Sequence, residues 1–298
     1  MIKSTWAHLG EHIDMTYLTD RYINFFTDYG FKRLFGEEPN KDLLRDFLNE
    51  LLKEEQGRIV DLTYLKDEQL GSGQLDRKAI FDLYCENERG EKFIVELQKA
   101  KQNFFKDRSV YYATFPIQQQ ARKGKWDFQL NAVYTIGILD FVFDEDKKEP
   151  GKYRYDIKLQ DIVTNEVFYD KLTFIYLELP KFNKTLDQLE NRFEKWLYAI
   201  KHLDRLDRVP DALREQVFEK FFAAAEIANF SREEIQRYED SLKYYRDLKN
   251  CLDTAREEGI EEGIIKVARN LLDLLDDDTI AAKTGLRVEV IADLRRES

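Results

Sequence analysis

Residues 80–100, with the sequence IFDLYCENERGEKFIVELQKA, most constrain the fold of this chain. Two runs rich in β-branched and aromatic residues flank Glu88-Arg89-Gly90, and the glycine stands where a three-residue hairpin loop favours a left-handed residue. The pattern therefore predicts a β-hairpin. Counting back along the ladder from this loop places Asp82 opposite Glu96. The same count places Ile80 opposite Gln98.

The two faces of this hairpin differ in chemistry. Because side chains alternate along a strand, Asp82, Glu96 and Gln98 are expected to share one face. The other face is expected to be apolar and to join the core, through Phe81, Leu83, Phe93, Val95 and Leu97. Two carboxylates directly opposite each other repel unless a cation lies between them, and a divalent cation is the usual one. From the pattern alone, a half-buried hairpin with a solvated polar face is the alternative, and a register slip of one residue would remove the pairing.

The composition is typical of a globular domain that folds without disulfides or structural zinc. The chain has 298 residues, 43% of them hydrophobic, so it has room for one large domain or two smaller ones. Cys85 and Cys251 lie far apart and without CxxC spacing, which indicates neither a disulfide framework nor a zinc site. The sequence shows no signal peptide and no run of about 18 apolar residues, so we expect a soluble cytoplasmic protein.

The charge is distributed unevenly. A net charge of −11 argues against a protein that coats nucleic acid non-specifically. Residues 99–125 nevertheless contain seven lysines or arginines and one acid, whereas residues 253–278 contain nine acids and three basic residues. The basic stretch begins directly after Glu96 and Gln98, as a phosphate-binding cleft would require.

The first residues carry a motif that we interpret as a coincidence. Residues 8–12 read HLGEH, which fits the H-x-x-E-H pattern of inverted zinc proteases. Those enzymes need the pattern on a stable helix with a further acidic ligand, whereas here a glycine interrupts it near a terminus. We interpret residues 1–18 as a leader that is expected to fray, and an alternative start at Met15 would also fit.

Residues 19–180 are expected to form a mixed α/β domain. Asn40 precedes an amphipathic helix, and residues 102–123 predict another, kinked or restarted near Pro116. Residues 130–143 are nearly all apolar, which is typical of a central strand buried on both faces. A helix between a hairpin and a buried strand indicates a mixed sheet flanked by helices.

The rest of the chain is expected to be helical. Residues 181–230 form one helical region, and residues 231–275 predict a long acidic helix. A short heptad pattern runs along that helix through Ile260, Ile264, Val267, Leu271 and Leu274. These side chains pack either against the protein itself or against a second copy in a homodimer through residues 260–274. Residues 276–298 resemble a helix-turn-helix fragment, which is a weak DNA-binding signal beside three consecutive aspartates.

Several ordered blocks resemble one known family. They are FTDYGFKRLFG at 26–36, DRKAIFDLYCENERGEKFIVELQKAKQ at 76–102 and FKDRSVYYATFPIQQQARKGKWDF at 105–128, followed by AREEGIEEGIIKVARNLL at 255–272 and IAAKTGLRVEVIADL at 280–294. The chain is similar to the PD-(D/E)XK nuclease family transposases, also called recombination-promoting nucleases (Rpn). The resemblance covers the chain from about residue 19 onward. It implies a restriction-endonuclease-like PD-(D/E)XK core, with a mixed sheet flanked by helices and an all-helical C-terminal region.

The resemblance also implies a site. Asp82 and Glu96 match the motif residues that bind a divalent metal, whereas Gln98 stands where the wider superfamily has lysine. Hard carboxylate oxygens suit Mg²⁺. Glutamine can hold a water molecule but adds no positive charge. We therefore expect Gln98 to position the nucleophile while Lys99, Lys101 or Arg108 neutralises the phosphate.

The expected function is that of an Mg²⁺-dependent endonuclease acting on DNA, which promotes recombination or is associated with mobile elements. Further basic residues expected near DNA are Lys32, Arg122 and Lys123. Asp28, close to Lys32, could add an acid to the site. The alternative is a catalytically weak or inactive nucleic-acid-binding or regulatory module with the nuclease fold, which oligomerises through its C-terminal helix.

Overall fold

The computed structural model describes residues 20–53, 55, 57–66, 68–69, 79–121 and 127–297. The HLGEH motif, the leader at 1–18 and the basic residues Arg122 and Lys123 lie outside the described residues.

A mixed sheet of six strands organises the fold. In chain order the strands of the structure are β1 Leu62–Tyr64, β2 Glu68–Gln69, β3 Ala79–Ile80, β4 Leu83–Asn87, β5 Lys92–Gln98, β6 Val133–Leu139, β7 Arg154–Gln160 and β8 Val167–Glu178. The six-stranded sheet has the order β1-β4-β5-β6-β8-β7, and β2 pairs with β3 separately. The β5–β6 and β6–β8 pairs are parallel and the other pairs are antiparallel.

Helices flank this sheet and then continue alone. They are α1 Asp28–Phe31, α2 Lys41–Leu51, α3 Phe105–Gln119, α4 Arg192–His202, α5 Gln216–Ala225, α6 Arg232–Leu271, α7 Asp277–Thr284 and α8 Val288–Glu297, and a π-helical turn at Lys32–Gly36 extends α1. The predicted mixed sheet flanked by helices, with further helices towards the C-terminus, is confirmed. None of the helices among these residues is long and apolar enough to cross a membrane.

The register of the organising hairpin agrees with the prediction. Leu83 pairs with Val95 and Glu86 pairs with Lys92. The loop glycine, Gly90, has a φ of 77°, the left-handed conformation that the loop requires. One step beyond the last pair, the same count brings Asp82 opposite Glu96.

The ladder ends earlier than predicted. Ile80 pairs with Glu68 in the small sheet, so the expectation that Ile80 lies opposite Gln98 is wrong. The chain bends at Asp82 before β4 begins. Because this bend interrupts the alternation of side chains, Phe81 does not keep to the face assigned to it. It packs in one cluster with Tyr84, Ile94 and Phe115.

An aromatic core joins the later helices to the N-terminal segment. Trp196 of α4 lies 5.8 Å from Phe35, 6.1 Å from Phe47 and 5.3 Å from Phe221 between ring centres. Its indole N–H donates a hydrogen bond of 2.8 Å to Asp46 on α2. The region 181–230 therefore shares a core with the domain that precedes it.

The chain divides into two compact units, one up to Leu242 and one from Lys243 onward. In the second unit, α7, a turn at Gly285 with a φ of 76° and α8 follow the end of α6. Its core consists of Ala268, Leu272, Ile280, Ile291 and Leu294.

The predicted heptad side chains are not the buried ones in this unit. Ile260 is 54% exposed and Val267 is 52% exposed, whereas the neighbouring Ala268 is fully buried. Leu274 lies beyond the end of α6 and is 74% exposed. Within the described chain, the heptad pattern leaves an apolar stripe that is half open to solvent.

Candidate active site

The candidate site lies where the β4–β5 ladder ends. Asp82 immediately precedes β4, and Glu96 lies near the end of β5. The backbone N–H of Asp82 donates a hydrogen bond of 3.2 Å to Glu96 Oε1, and the backbone N–H of Leu97 donates one of 2.8 Å to Asp82 Oδ2. These two bonds hold both carboxylates at adjacent positions, although the regular strand pairing has stopped.

The sheet face that carries Glu96 is not solvated. Glu96 is 8% exposed and Gln98 is 9% exposed, whereas Asp82 is half-buried. Helix α3 covers this face, because Phe115 packs against Ile94 of the same strand and Arg108 contacts Gln98. Access to the carboxylates is therefore from the side of Asp82.

Burial and like charge set the electrostatics of the pair. Burial raises the pKa of Glu96 above its usual range, and the Asp82 carboxylate raises it further. Burial also raises the pKa of Asp82, whereas the hydrogen bond from the Leu97 N–H stabilises its charged form and lowers the pKa. The protein thus holds two carboxylates in a position that disfavours their charged forms.

This donor set fits a divalent cation. Among the described residues, neither carboxylate forms an ion pair, and Asp82 Oδ1 and Glu96 Oε2 accept no hydrogen bond. One buried and one half-buried carboxylate, neither of them in an ion pair within the described chain, are the kind of hard oxygen donors that Mg²⁺ uses, since it also retains several waters and substrate oxygens. Within the same residues, no group of three or more acidic, histidine or cysteine side chains is placed to hold a metal. Asp82 and Glu96 are thus the residues that would hold it.

Helix α1 and its π-helical extension bring further charges to Asp82. Asp28 raises the pKa of Asp82, and Lys32 and Lys99 lower it. Lys32 lies 3.4 Å from Asp28, and both side chains are about half exposed (50% and 56%). Lys99 is partly buried, and this burial lowers its pKa. The charges of one acidic and two basic side chains therefore act on Asp82.

Gln98 and Arg108 form the opposite boundary. Arg108 Nη2 donates a hydrogen bond of 2.5 Å to Gln98 Oε1, and Gln98 Nε2 donates one of 2.8 Å to the carbonyl of Ala100. The amide keeps one N–H and one lone pair for a further partner. Arg108 also acts on the carboxylates, because its charge opposes the rise in the pKa of Glu96.

Lys101, another predicted basic residue, is engaged away from the carboxylate pair. Lys101 pairs with Asp144, which follows β6. The neighbouring Lys106 pairs with Glu145 and lies 4.6 Å from the centre of the Phe143 ring. Arg122 and Lys123 fall outside the described residues.

Two residues near the site were not predicted. Tyr112 lies on α3 one turn after Arg108, and its pKa is raised by burial and then by Glu96. Gln102 accepts a hydrogen bond of 2.6 Å from Arg108 Nη1. The spacing of four between Arg108 and Tyr112 could have placed both on one face of a helix. For Gln102 the sequence offers no such signal.

A comparison with protein families gives one match. The family model described as PD-(D/E)XK nuclease family transposase matches residues 25–255, which include the whole hairpin and α3. No curated protein and no solved structure matches the chain.

Proposed function

The chain belongs to the PD-(D/E)XK nuclease family transposases, and we propose that it hydrolyses phosphodiester bonds in DNA with Mg²⁺ or another divalent cation. The observation that carries this proposal is the mutual fixing of Asp82 and Glu96 by backbone hydrogen bonds of 3.2 and 2.8 Å. Two carboxylates held together without an ion pair to either, within the described chain, have a free energy cost that a bound divalent cation would offset.

The residues of the site divide the work of such a reaction. Asp82 and Glu96 would hold the cation, which supplies Lewis acidity to activate water and to offset charge on the scissile phosphate. Lys32 and Lys99, whose charges act on Asp82, would attract the DNA backbone. The hairpin and α3 exclude solvent from Glu96, which strengthens every charge interaction at this end of the site.

DNA is the substrate that the family implies, and we propose an endonucleolytic cut rather than strand transfer. A chain with a net charge of −11 must bind DNA through local basic groups, so binding should weaken steeply with salt. The proposal extends to a role in promoting recombination or to an association with mobile elements, through the strand breaks that the enzyme makes.

Cleavage of a supercoiled plasmid tests the proposal. We expect wild-type protein to nick or linearise it with Mg²⁺ and to leave it intact in EDTA. Asp82→Asn and Glu96→Gln keep the size of each side chain and should each reduce the rate by at least about a hundredfold, as loss of a preorganised electrostatic group does. Glu86→Gln is the matched control, because Glu86 lies on the same hairpin but pairs with Lys92. This variant should cleave the plasmid like wild type.

Each other outcome has a distinct meaning. Cleavage that survives both substitutions would place the activity elsewhere or in a contaminant. A folded wild-type protein that binds DNA but cleaves nothing with Mg²⁺, Mn²⁺ or Ca²⁺ would favour the inactive binding module.

Dimerisation through residues 260–274 stays a separate proposal. It is supported by the half-exposed Ile260 and Val267 on α6. The mass of wild type and of Ile260→Lys/Val267→Lys, measured by light scattering, tests it. A monomeric wild type would end it.

A further inference from the structure

The site lacks the lysine that its superfamily places two residues after the motif glutamate. Gln98 occupies that position and carries no charge. Hydrolysis of a phosphodiester builds negative charge on the phosphate oxygens, so a cation near them accelerates the reaction. Which side chain supplies this charge deepens the proposed function and rests on it.

Arg108, on the neighbouring helix α3, contacts the side chain at the position of the superfamily lysine. Its Nη2 donates a 2.5 Å hydrogen bond to the side chain at position 98, where the lysine would stand. Its guanidinium carbon lies 5.2 Å from the centre of the Phe105 ring and 5.8 Å from that of Tyr112. These contacts orient the guanidinium towards the end of β5, beside Glu96 and Gln98.

The partners of Arg108 hold it without neutralising it. Gln98 accepts from Nη2, and Gln102 accepts from Nη1 at 2.6 Å. Both acceptors are neutral amides, and among the described residues no carboxylate forms an ion pair with Arg108. Although its charge acts on Glu96, the guanidinium forms no ion pair with a carboxylate of the described chain, and it has donors left for a phosphate after two such bonds.

The orientation of Gln98 matches this arrangement. Because its Nε2 donates to the carbonyl of Ala100 at 2.8 Å, its amide oxygen faces Arg108. A lysine at position 98 would place a second cation against the guanidinium. In this chain a glutamine at position 98 can accept a hydrogen bond from the arginine of α3, whereas a lysine there could not.

The other nearby cations are less well placed. Lys101 and Lys106 pair with Asp144 and Glu145. Lys32 pairs with Asp28. Lys99 acts on Asp82, at the other carboxylate, and is partly buried. Arg108, by contrast, donates a hydrogen bond to the side chain that replaces the lysine.

We propose that Arg108 takes the place of the superfamily lysine and binds a non-bridging oxygen of the scissile phosphate, with Gln98 and Gln102 as its positioning residues. In the reaction, the oxygen of water forms the new bond to phosphorus and the bond to the leaving oxygen breaks. The proton lost by the water passes to solvent, and the leaving oxygen takes one up. Arg108 stays protonated throughout, because a guanidinium does not give up its proton in proteins.

A charge-relocation experiment tests this assignment. Arg108→Ala should lower kcat on plasmid DNA by about a hundredfold to a thousandfold, the usual loss for one charge-stabilising donor. Mg²⁺ should still raise the melting temperature of this variant, as measured by a thermal-shift assay. The double variant Gln98→Lys/Arg108→Ala returns the cation to position 98 and should recover at least about tenfold of the lost activity. Arg108→Lys keeps the charge without the fork and should fall between wild type and Arg108→Ala.

The outcomes separate this proposal from the nuclease proposal. Wild-type cleavage that needs metal and Asp82, together with an Arg108→Ala variant within threefold of wild type, would overturn only the role of Arg108. A double variant no more active than Arg108→Ala would also overturn it. If Arg108→Ala does not fold, the comparison of Arg108→Lys with wild type in kcat, and not in KM, decides. Absence of wild-type cleavage overturns the nuclease proposal itself, and the role of Arg108 with it.

Discussion

The backbone N–H of Asp82 donates a hydrogen bond of 3.2 Å to Glu96 Oε1, so one acidic residue helps to hold the side chain of the other. Asp82 in turn accepts a bond of 2.8 Å from the residue that follows Glu96. The two carboxylates are therefore positioned by the backbone before any cation binds. This preorganisation keeps like charges together in a buried place, and that has a measurable cost in stability.

Glu96→Gln is expected to stabilise the metal-free protein at pH 8. The pKa of Glu96 in the folded protein lies above its ordinary value of 4.5, first because of burial and then because of Asp82. The folded protein therefore loses stability as the pH rises above that value, since the unfolded chain ionises first. One unit of pKa shift corresponds to about 1.4 kcal/mol, so the free energy of unfolding in EDTA should rise by at least that amount. Urea denaturation measures it.

Two comparisons check this explanation. At pH 4 the difference between Glu96→Gln and wild type should vanish, because the carboxyl group is then mostly protonated in both states. Addition of Mg²⁺ at pH 8 should raise the melting temperature of wild type and not that of the variant. A variant less stable than wild type at pH 8 would show that the carboxylate pair is not strained.

Gly30→Ala is expected to destabilise the first unit. A Cβ atom at position 30 would lie 2.2 Å from the carbonyl oxygen of Asn24 and 2.8 Å from Thr27 Oγ1. The carbonyl oxygen of Asn24 also accepts a hydrogen bond from the Thr27 hydroxyl, so it cannot move freely. Overpacking of this kind costs about 1–3 kcal/mol, which chemical denaturation would detect. Gly57→Ala is the control, because a Cβ atom there meets nothing within 4 Å in the described part of the chain, and its effect should be near zero.

Gly259→Ala and Gly263→Ala are expected to stabilise α6. A Cβ atom at either position meets nothing within 4 Å in the described chain. Glycine inside a helix costs about 1 kcal/mol relative to alanine, so each substitution should raise helix stability by up to that amount. Circular dichroism during heating measures the gain. A lower melting temperature, with a lower mass by light scattering, would instead mean that a second chain packs closely on these glycines.

Arg295→Ala is expected to loosen the second unit, whereas Arg296→Ala is not. Arg295 donates hydrogen bonds to Asp277 and to the carbonyls of Leu272 and Leu275, which joins α8 to the end of α6 and to the start of α7. Hydrogen bonds to charged groups contribute about 1.5–3 kcal/mol, so amides of α7 and α8 should exchange faster with deuterium in the Arg295 variant. Arg296 contacts only its neighbour Asp293 among the described residues. Equal exchange in both variants would contradict this role.

This use of Arg295 also bears on the helix-turn-helix resemblance of the tail. A recognition helix presents its basic side chains to DNA. Here an arginine of α8 is engaged within its own unit by three hydrogen bonds. The resemblance therefore adds little support for DNA binding by residues 276–298.

Much of the hairpin could be predicted because its determinants are local. Gly90 fixes the loop, the loop fixes the register, and the register brings Asp82 opposite Glu96. The family resemblance could likewise be detected from the sequence, because it lies in contiguous blocks of residues. The expected pairing of Ile80 with Gln98 was wrong because Ile80 pairs with Glu68 in a second sheet, and this competing partner is not visible in the pattern of one strand.

The sequence by itself determined the mixed sheet, the acidic pair and the long helix, since each depends on residue type and near spacing. That Gln98 stands where a lysine is usual came from the family resemblance. Only the tertiary structure decided that α3 buries Glu96 and Gln98, that Lys101 pairs elsewhere and that Arg108 meets the amide of Gln98. These contacts depend on how a helix docks on a sheet. Docking is set by the fit of many apolar side chains at once, and the pattern of a single segment does not contain it.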